Sequence, residues 1–135
     1  MPRMGFDQYH EPPGELPEET RTFARMITSL QEEAEAIGWY EQRIAIETDR
    51  EAVAVMQNAQ GEEFKHFAMD LEYLLRRKPL WREIARGILF QSGDIVSRGE
   101  EAEEEAGEES LMSAGIPGTP SALDESPSLG IGGLK

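Results

Sequence analysis

The chain holds two histidines in 135 residues, and one of them, His66, stands three positions after Glu63 in GEEFKHFAMD, residues 61–70. Residues three apart on a helix project from one face, so Glu63 and His66 offer a carboxylate and an imidazole side by side. A further glutamate, Glu33, interrupts an apolar series between Leu30 and Ile37. Glutamate is almost never fully buried unless it is paired or bound to a metal, because desolvating a lone carboxylate is costly. Three ionisable groups set among apolar residues therefore call for a shared partner, and a cation suits two carboxylates and an imidazole. The other histidine, His10, lies in a proline-bounded N-terminal stretch and is read as tail.

The elements that must carry these residues are helices. Pro17, Glu18 and Glu19 make a sound helix start, since proline loses nothing in the first turn and acids there suit the positive end of the helix dipole. Phe23, Met26, Ile27, Leu30, Ala34, Ile37, Tyr40 and Ile44 then recur at three- and four-residue steps, which predicts one helix over about residues 17–46. Thr48 or Asp49 can cap a second helix. Its stripe runs Ala52, Val55, Met56, Ala59, Glu63, His66, Asp70, Tyr73 and Leu74 and should end near Lys78, ahead of Pro79. A third, shorter helix is expected from Leu80 to about Phe90, packing through Trp81, Ile84, Ala85, Ile88 and Leu89. The fold class is all-α, and so short a connection makes the two long helices an antiparallel hairpin.

Glu33 and Glu63 lie about equally far from the break at Thr48, on either side of it. In an antiparallel hairpin they share a height, so one protomer can set a Glu against a Glu-x-x-His pair. Di-iron carboxylate sites in helix bundles use twice that set, one Glu from each of two helices and a Glu-x-x-His from each of the other two. With one set per chain, two copies must meet about a two-fold axis. A homodimer with metals at its interface follows.

Composition bounds the rest. The formal net charge of −14 argues against a nucleic-acid backbone as partner, which needs Lys and Arg to displace counterions. The absence of cysteine removes disulfides, thiolate metal sites and cysteine nucleophiles. No run approaches the roughly 18 apolar residues of a membrane span, and the N-terminus lacks the apolar core of a secretory signal, so a cytoplasmic protein is expected. Residues 1–15 read as a flexible arm and 16–96 as the helical domain. The acid-rich RGEEAEEEAGEES and the Gly-, Pro- and Ser-rich stretch after it read as a disordered linker, residues 97–127, because so much like charge and so few large apolar groups cannot offset the ordering entropy. A core of roughly 75 residues buries only about 60% of its unfolded surface, which again favours self-association.

QEEAEAIGWYEQR, residues 31–43, together with GEEFKHFAMDLEYL, residues 61–74, resembles the encapsulated ferritins, the ferritin-like cargo of encapsulin nanocompartments. The likeness covers about residues 10–95. It implies a two-helix protomer with a short third helix that dimerises into a ferritin-like four-helix bundle and assembles further into a ring of dimers, a decamer. The family's ferroxidase ligands fall on Glu33, Glu63 and His66. Tyr40 matches a tyrosine beside that centre, Glu32 and Glu35 match acids of an outer metal-uptake site, and Trp39 matches a tryptophan that shields the centre from it. Gly38 and Gly61 depart from the family pattern and loosen the helices by up to about 1 kcal/mol each relative to alanine.

The terminal SLGIGGLK, residues 128–135, is similar to an encapsulin cargo-loading peptide, with Leu129, Ile131 and Leu134 as docking residues. Such extended segments seat alternate side chains in pockets of a partner. The resemblance thus implies a ferroxidase that oxidises Fe(II) with dioxygen at a di-iron site between two protomers, in the cytoplasm inside an encapsulin shell that stores the mineral. The alternative from another class is a non-catalytic helical dimer that holds zinc or iron as shell cargo.

Overall fold

The structure, a computed structural model, describes residues 8–114 of the chain. Among these every regular element is helical: a 3-10 turn at Pro13–Glu15, then α1 (Glu18–Ile46), α2 (Arg50–Arg77), α3 (Pro79–Arg86) and α4 (Ile95–Ala114). None is long and apolar enough to cross a membrane. The chain divides into two units, at Arg77 and Lys78, where the sequence suggests one domain over 16–96.

The first unit is the antiparallel hairpin of α1 and α2. Pro17 precedes α1 in extended conformation, and its carbonyl accepts from the N–H groups of Thr20 and Arg21. Arg21 Nη1 also donates to the carbonyls of Pro13, at 2.7 Å, and Leu16, at 3.0 Å. The end of the N-terminal arm is therefore tied to α1 rather than free, because one guanidinium spans two carbonyls of the 3-10 turn and its exit. The reversal takes three residues. Glu47 Oε2 accepts from the N–H groups of Thr48 and Asp49, and Asp49 Oδ1 accepts from Glu51 N–H at 3.0 Å. Of the two candidate caps, Asp49 is the one that caps α2, satisfying a donor that the helix start leaves open.

Both long helices run unbroken through Gly38 and Gly61. A Cβ at either position would meet nothing within 4 Å, so neither glycine is demanded by space. The buried centre of the hairpin is small: Leu74, at 0% exposure, Leu75 and Gln60. Gln60 interrupts the expected apolar stripe and earns its burial by hydrogen bonds across the hairpin, Nε2 donating to Ile37 O at 3.2 Å and to Glu41 Oε1 at 2.9 Å. Val55, expected in the stripe, is instead 65% exposed. Its neighbours Met56 and Ala52 already fill the inward positions of that turn.

The second unit overturns the reading of the acidic run. α4 (Ile95–Ala114) takes in residues 97–114 of the expected linker of 97–127. Three physical reasons outweigh the like charge. Glutamate and alanine are good helix formers. Asp94 Oδ2 accepts from Ser97 N–H at 2.9 Å, a side-chain cap on the first turn. Ala102 and Ala106 are buried, while the glutamates around them are exposed. The approach is close: a Cβ on Gly87, the residue that closes α3, would lie 2.6 Å from Ala102 Cβ. Residues 115–127 lie outside the described part.

α3 stops at Arg86 instead of continuing to Phe90, and Leu89, expected on its packing face, is left exposed. Phe90 adopts φ 64° and Gly93 φ 98°, the left-handed region that turns the chain toward α4. Glycine enters that region freely; phenylalanine does so at a cost of roughly 1–2 kcal/mol.

Candidate metal centre

Glu33 on α1 and Glu63 and His66 on α2 come together as the sequence heights suggest. Each offers a ligand atom, and these atoms lie within 4.8 Å of one another. No other such group of three occurs among the described residues. His66 Nδ1 stands 3.4 Å from Glu63 Oε1, a long contact between neighbours on one face. The His66 side chain is 45% exposed and Glu63 24% exposed, so the cluster sits on an open flank of the hairpin, able to receive groups from outside it.

A fourth side chain belongs to this neighbourhood. Asp70 lies one turn beyond His66 and is partly buried, and its Oδ2 is shielded from solvent with no hydrogen-bond partner. Glu33 is pushed up from 4.5 to about 7, first by burial, then by a hydrogen bond with Glu63, the charges of Asp70 and Glu63, and a hydrogen bond with Asp70. Two ionised carboxylates offer acceptors only, so a bond exists between them only while Glu33 holds a proton.

Helix geometry explains how Asp70 reaches Glu33 although their backbones differ in height by roughly 10 Å. Side chains on a helix lean toward its N-terminus. Glu33 leans back toward Leu30 and Asp70 back toward His66, and in an antiparallel pair those two leans converge. Matching backbone heights alone selects Glu63 and passes over Asp70.

The donor set, carboxylate oxygens with one imidazole, suits iron in either oxidation state and other first-row divalent ions, since these ligands are hard to borderline. Acids that crowd Glu33 and raise its proton affinity are what a cation relieves.

The remaining candidates stand apart from this cluster. Glu32 and Glu35 are exposed on α1. Tyr40 is seven residues past Glu33, roughly 10 Å along the helix axis, with the Arg43 guanidinium 5.3 Å from its ring centroid. Trp39 is 49% exposed and lines a shallow groove of about 340 Å³ with Gln42, Arg43 and Ile46. His10 is exposed in the arm. Leu129, Ile131 and Leu134 lie outside the described residues.

Comparison with known proteins adds an independent line. Residues 8–92 match the family model described as EncFtn-like. The chain is 41% identical to an encapsulated ferritin-like protein of Rhodospirillum rubrum over 126 residues, 93% of this chain and 86% of that one. It is 42% identical to a ferritin-like protein of Thermotoga maritima over 95 residues, 70% of this chain and 83% of that one. Among solved structures, a crystal structure of a Nitrosomonas europaea protein aligns with a TM-score of 0.64 at 39% identity, covering 66% of this chain and 98% of that one.

Proposed function

The chain belongs to the EncFtn-like family, the encapsulated ferritin-like proteins, and on that premise we propose that it is a ferroxidase acting on Fe(II) between two protomers. The observation that carries this is the convergence of Glu33, Glu63 and His66 on one open flank of a hairpin. Each chain supplies one such half-set, and a two-fold copy supplies the other. Glu33, Glu63 and His66 of each chain would hold the two Fe(II) during the reaction. Two Fe(II) would together give two electrons to one dioxygen, which takes up two protons and departs as hydrogen peroxide, while both irons leave as Fe(III). The proton that Glu33 holds near neutral pH is released when Fe(II) arrives, which makes substrate binding and deprotonation one event.

Three further assignments rest on the family resemblance. Tyr40 stands beside the centre in the assembled dimer and Trp39 shields it. Glu32 and Glu35 gather Fe(II) electrostatically at the surface, an effect that salt weakens. Two hairpins enclose no space for mineral, so storage falls to an encapsulin shell in the cytoplasm, reached through Leu129, Ile131 and Leu134. The dimers close into a decameric ring.

The test is aerobic addition of Fe(II) to the purified protein, following ferric absorbance and oligomer size, beside Glu33→Ala, Glu63→Ala and His66→Ala. Fast oxidation is expected in the parent alone; equal rates in all four would sink the ferroxidase reading and leave a passive metal-binding dimer. Removal of residues 128–135 is expected to abolish co-purification with a shell protein and leave iron oxidation intact.

A further inference from the structure

We propose that Asp70 is a fourth cation-holding side chain of the centre, binding iron jointly with Glu33. This rests on the reading of Glu33, Glu63 and His66 as a cation site and adds to it a residue on the same face of α2, four positions after His66 and seven after Glu63.

Geometry carries the inference. Asp70 Oδ2 is buried without a hydrogen-bond partner, and such an atom keeps the cost of its desolvation unless a donor or a cation relieves it. The neighbour it converges on, Glu33, is itself a carboxyl group, an acceptor only once it has lost its proton. A cation satisfies both oxygens at once. Packing offers no rival explanation, since an apolar residue at position 70 would fill the same turn without an orphaned oxygen. The centre thus has two carboxylates on α2 facing one on α1, with His66 between Glu63 and Asp70 in sequence, and Asp70 extends it by one turn along α2. That places the added ligand at the Glu33 side of the cluster rather than at the His66–Glu63 contact, in keeping with Asp70 falling outside the group of three mutually close ligands.

Asp70→Asn, which keeps the shape and removes the charge, is compared with the parent and with Asp70→Ser. Co(II), a redox-quiet probe in air, is titrated calorimetrically, with its visible spectrum as a report on ligand number and with circular dichroism and oligomer size as controls. Losing a supporting group of a metal site typically costs 10–100-fold in affinity, and a loss of at least about 10-fold is expected in both variants, with a changed Co(II) spectrum. The metal-free variants should melt no lower than the parent, because one of two crowded acids is gone. Parent-like affinity and spectrum in either folded variant would overturn the role of Asp70 while leaving the three-residue centre standing. A parent that binds no Co(II) would overturn both. A variant that melts lower and binds as the parent does marks Asp70 as a packing residue, which likewise overturns the inference.

Discussion

The two halves of the chain are both hairpins of helices rich in acids, and they spend those acids in opposite ways. In α1 and α2 a few carboxylates turn toward one another across the helices, Glu33 meeting Glu63 beside His66, with Asp70 next to Glu33. In α4 the seven glutamates from Glu100 to Glu109 face solvent, and the helix is held by Ala102 and Ala106, side chains with no chemistry. The number of acids says little about where a cation binds. Convergence, burial and the loss of every other partner decide it.

The sharpest way to break this contrast is to neutralise acids in each half and measure Fe(II) oxidation. Since even supporting groups around metal ligands are worth 10–100-fold in affinity or activity, Glu63→Ala should lower the rate by on the order of 100-fold or more. Replacing Glu103, Glu104 and Glu105 together by glutamine should leave it within about two-fold at moderate salt, where exposed charges are largely screened. A large loss from the α4 triple would show that the acidic helix feeds the centre and that the two halves are not functionally separate.

Much of the first half is legible in the sequence because its signals are of one kind. Helical period, a short break and two ionisable interruptions at matching height yield the hairpin and the trio together. Asp70 stands in the same stripe yet escapes notice as a ligand, since the convergence that brings it to Glu33 comes from the lean of side chains and not from backbone height. Gln60 is missed for a related reason: its burial depends on hydrogen bonds to Ile37 and Glu41, twenty residues away in sequence. In the second half composition misleads. Charge density is a property of the exposed face of α4, while its existence as a helix turns on one cap at Asp94 and two buried alanines, Ala102 and Ala106.

The next largest effect concerns pH in the metal-free protein. Glu33 has a folded pKa of about 7 against an ordinary 4.5, so the folded state holds a proton that the unfolded chain releases. Its contribution is intact below about pH 4.5 and is lost as pH rises to about 7. One pKa unit corresponds to about 1.4 kcal/mol, so the first hairpin should lose at most about 3.5 kcal/mol across that window, less what solvent screening removes. Thermal melts of metal-free protein at pH 5 and pH 8 check it, and Glu33→Gln should flatten the difference. Adding Co(II) at pH 8 should restore the lost stability.

In the second half the corresponding weak point is a contact and not a charge. Gly87→Ala forces a Cβ to within 2.6 Å of Ala102 Cβ, and overpacking of this kind costs about 1–3 kcal/mol. Limited proteolysis within residues 95–114 should accelerate while iron oxidation is unchanged. If oxidation falls in step with cleavage, the α3–α4 hairpin supports the centre after all.

The smallest effect is the most diagnostic of the contrast, because it reverses the sign of the pH dependence. The Asp94 carboxylate is held below its ordinary value by the Ser97 N–H that it caps. A depressed pKa means that the folded state sheds its proton more readily than the unfolded chain. The stabilisation is therefore present above the ordinary aspartate pKa of 3.8 and disappears as pH falls below it. Protection of α4 amides from hydrogen exchange should drop on acidification, in the same direction in which the metal-free α1–α2 hairpin gains stability. Asp94→Ala should remove that acid dependence and leave the amides of α1 and α2 untouched. Opposite slopes in one chain, one from crowded acids and one from a capped helix, would mean that the two hairpins respond to protons as separate units.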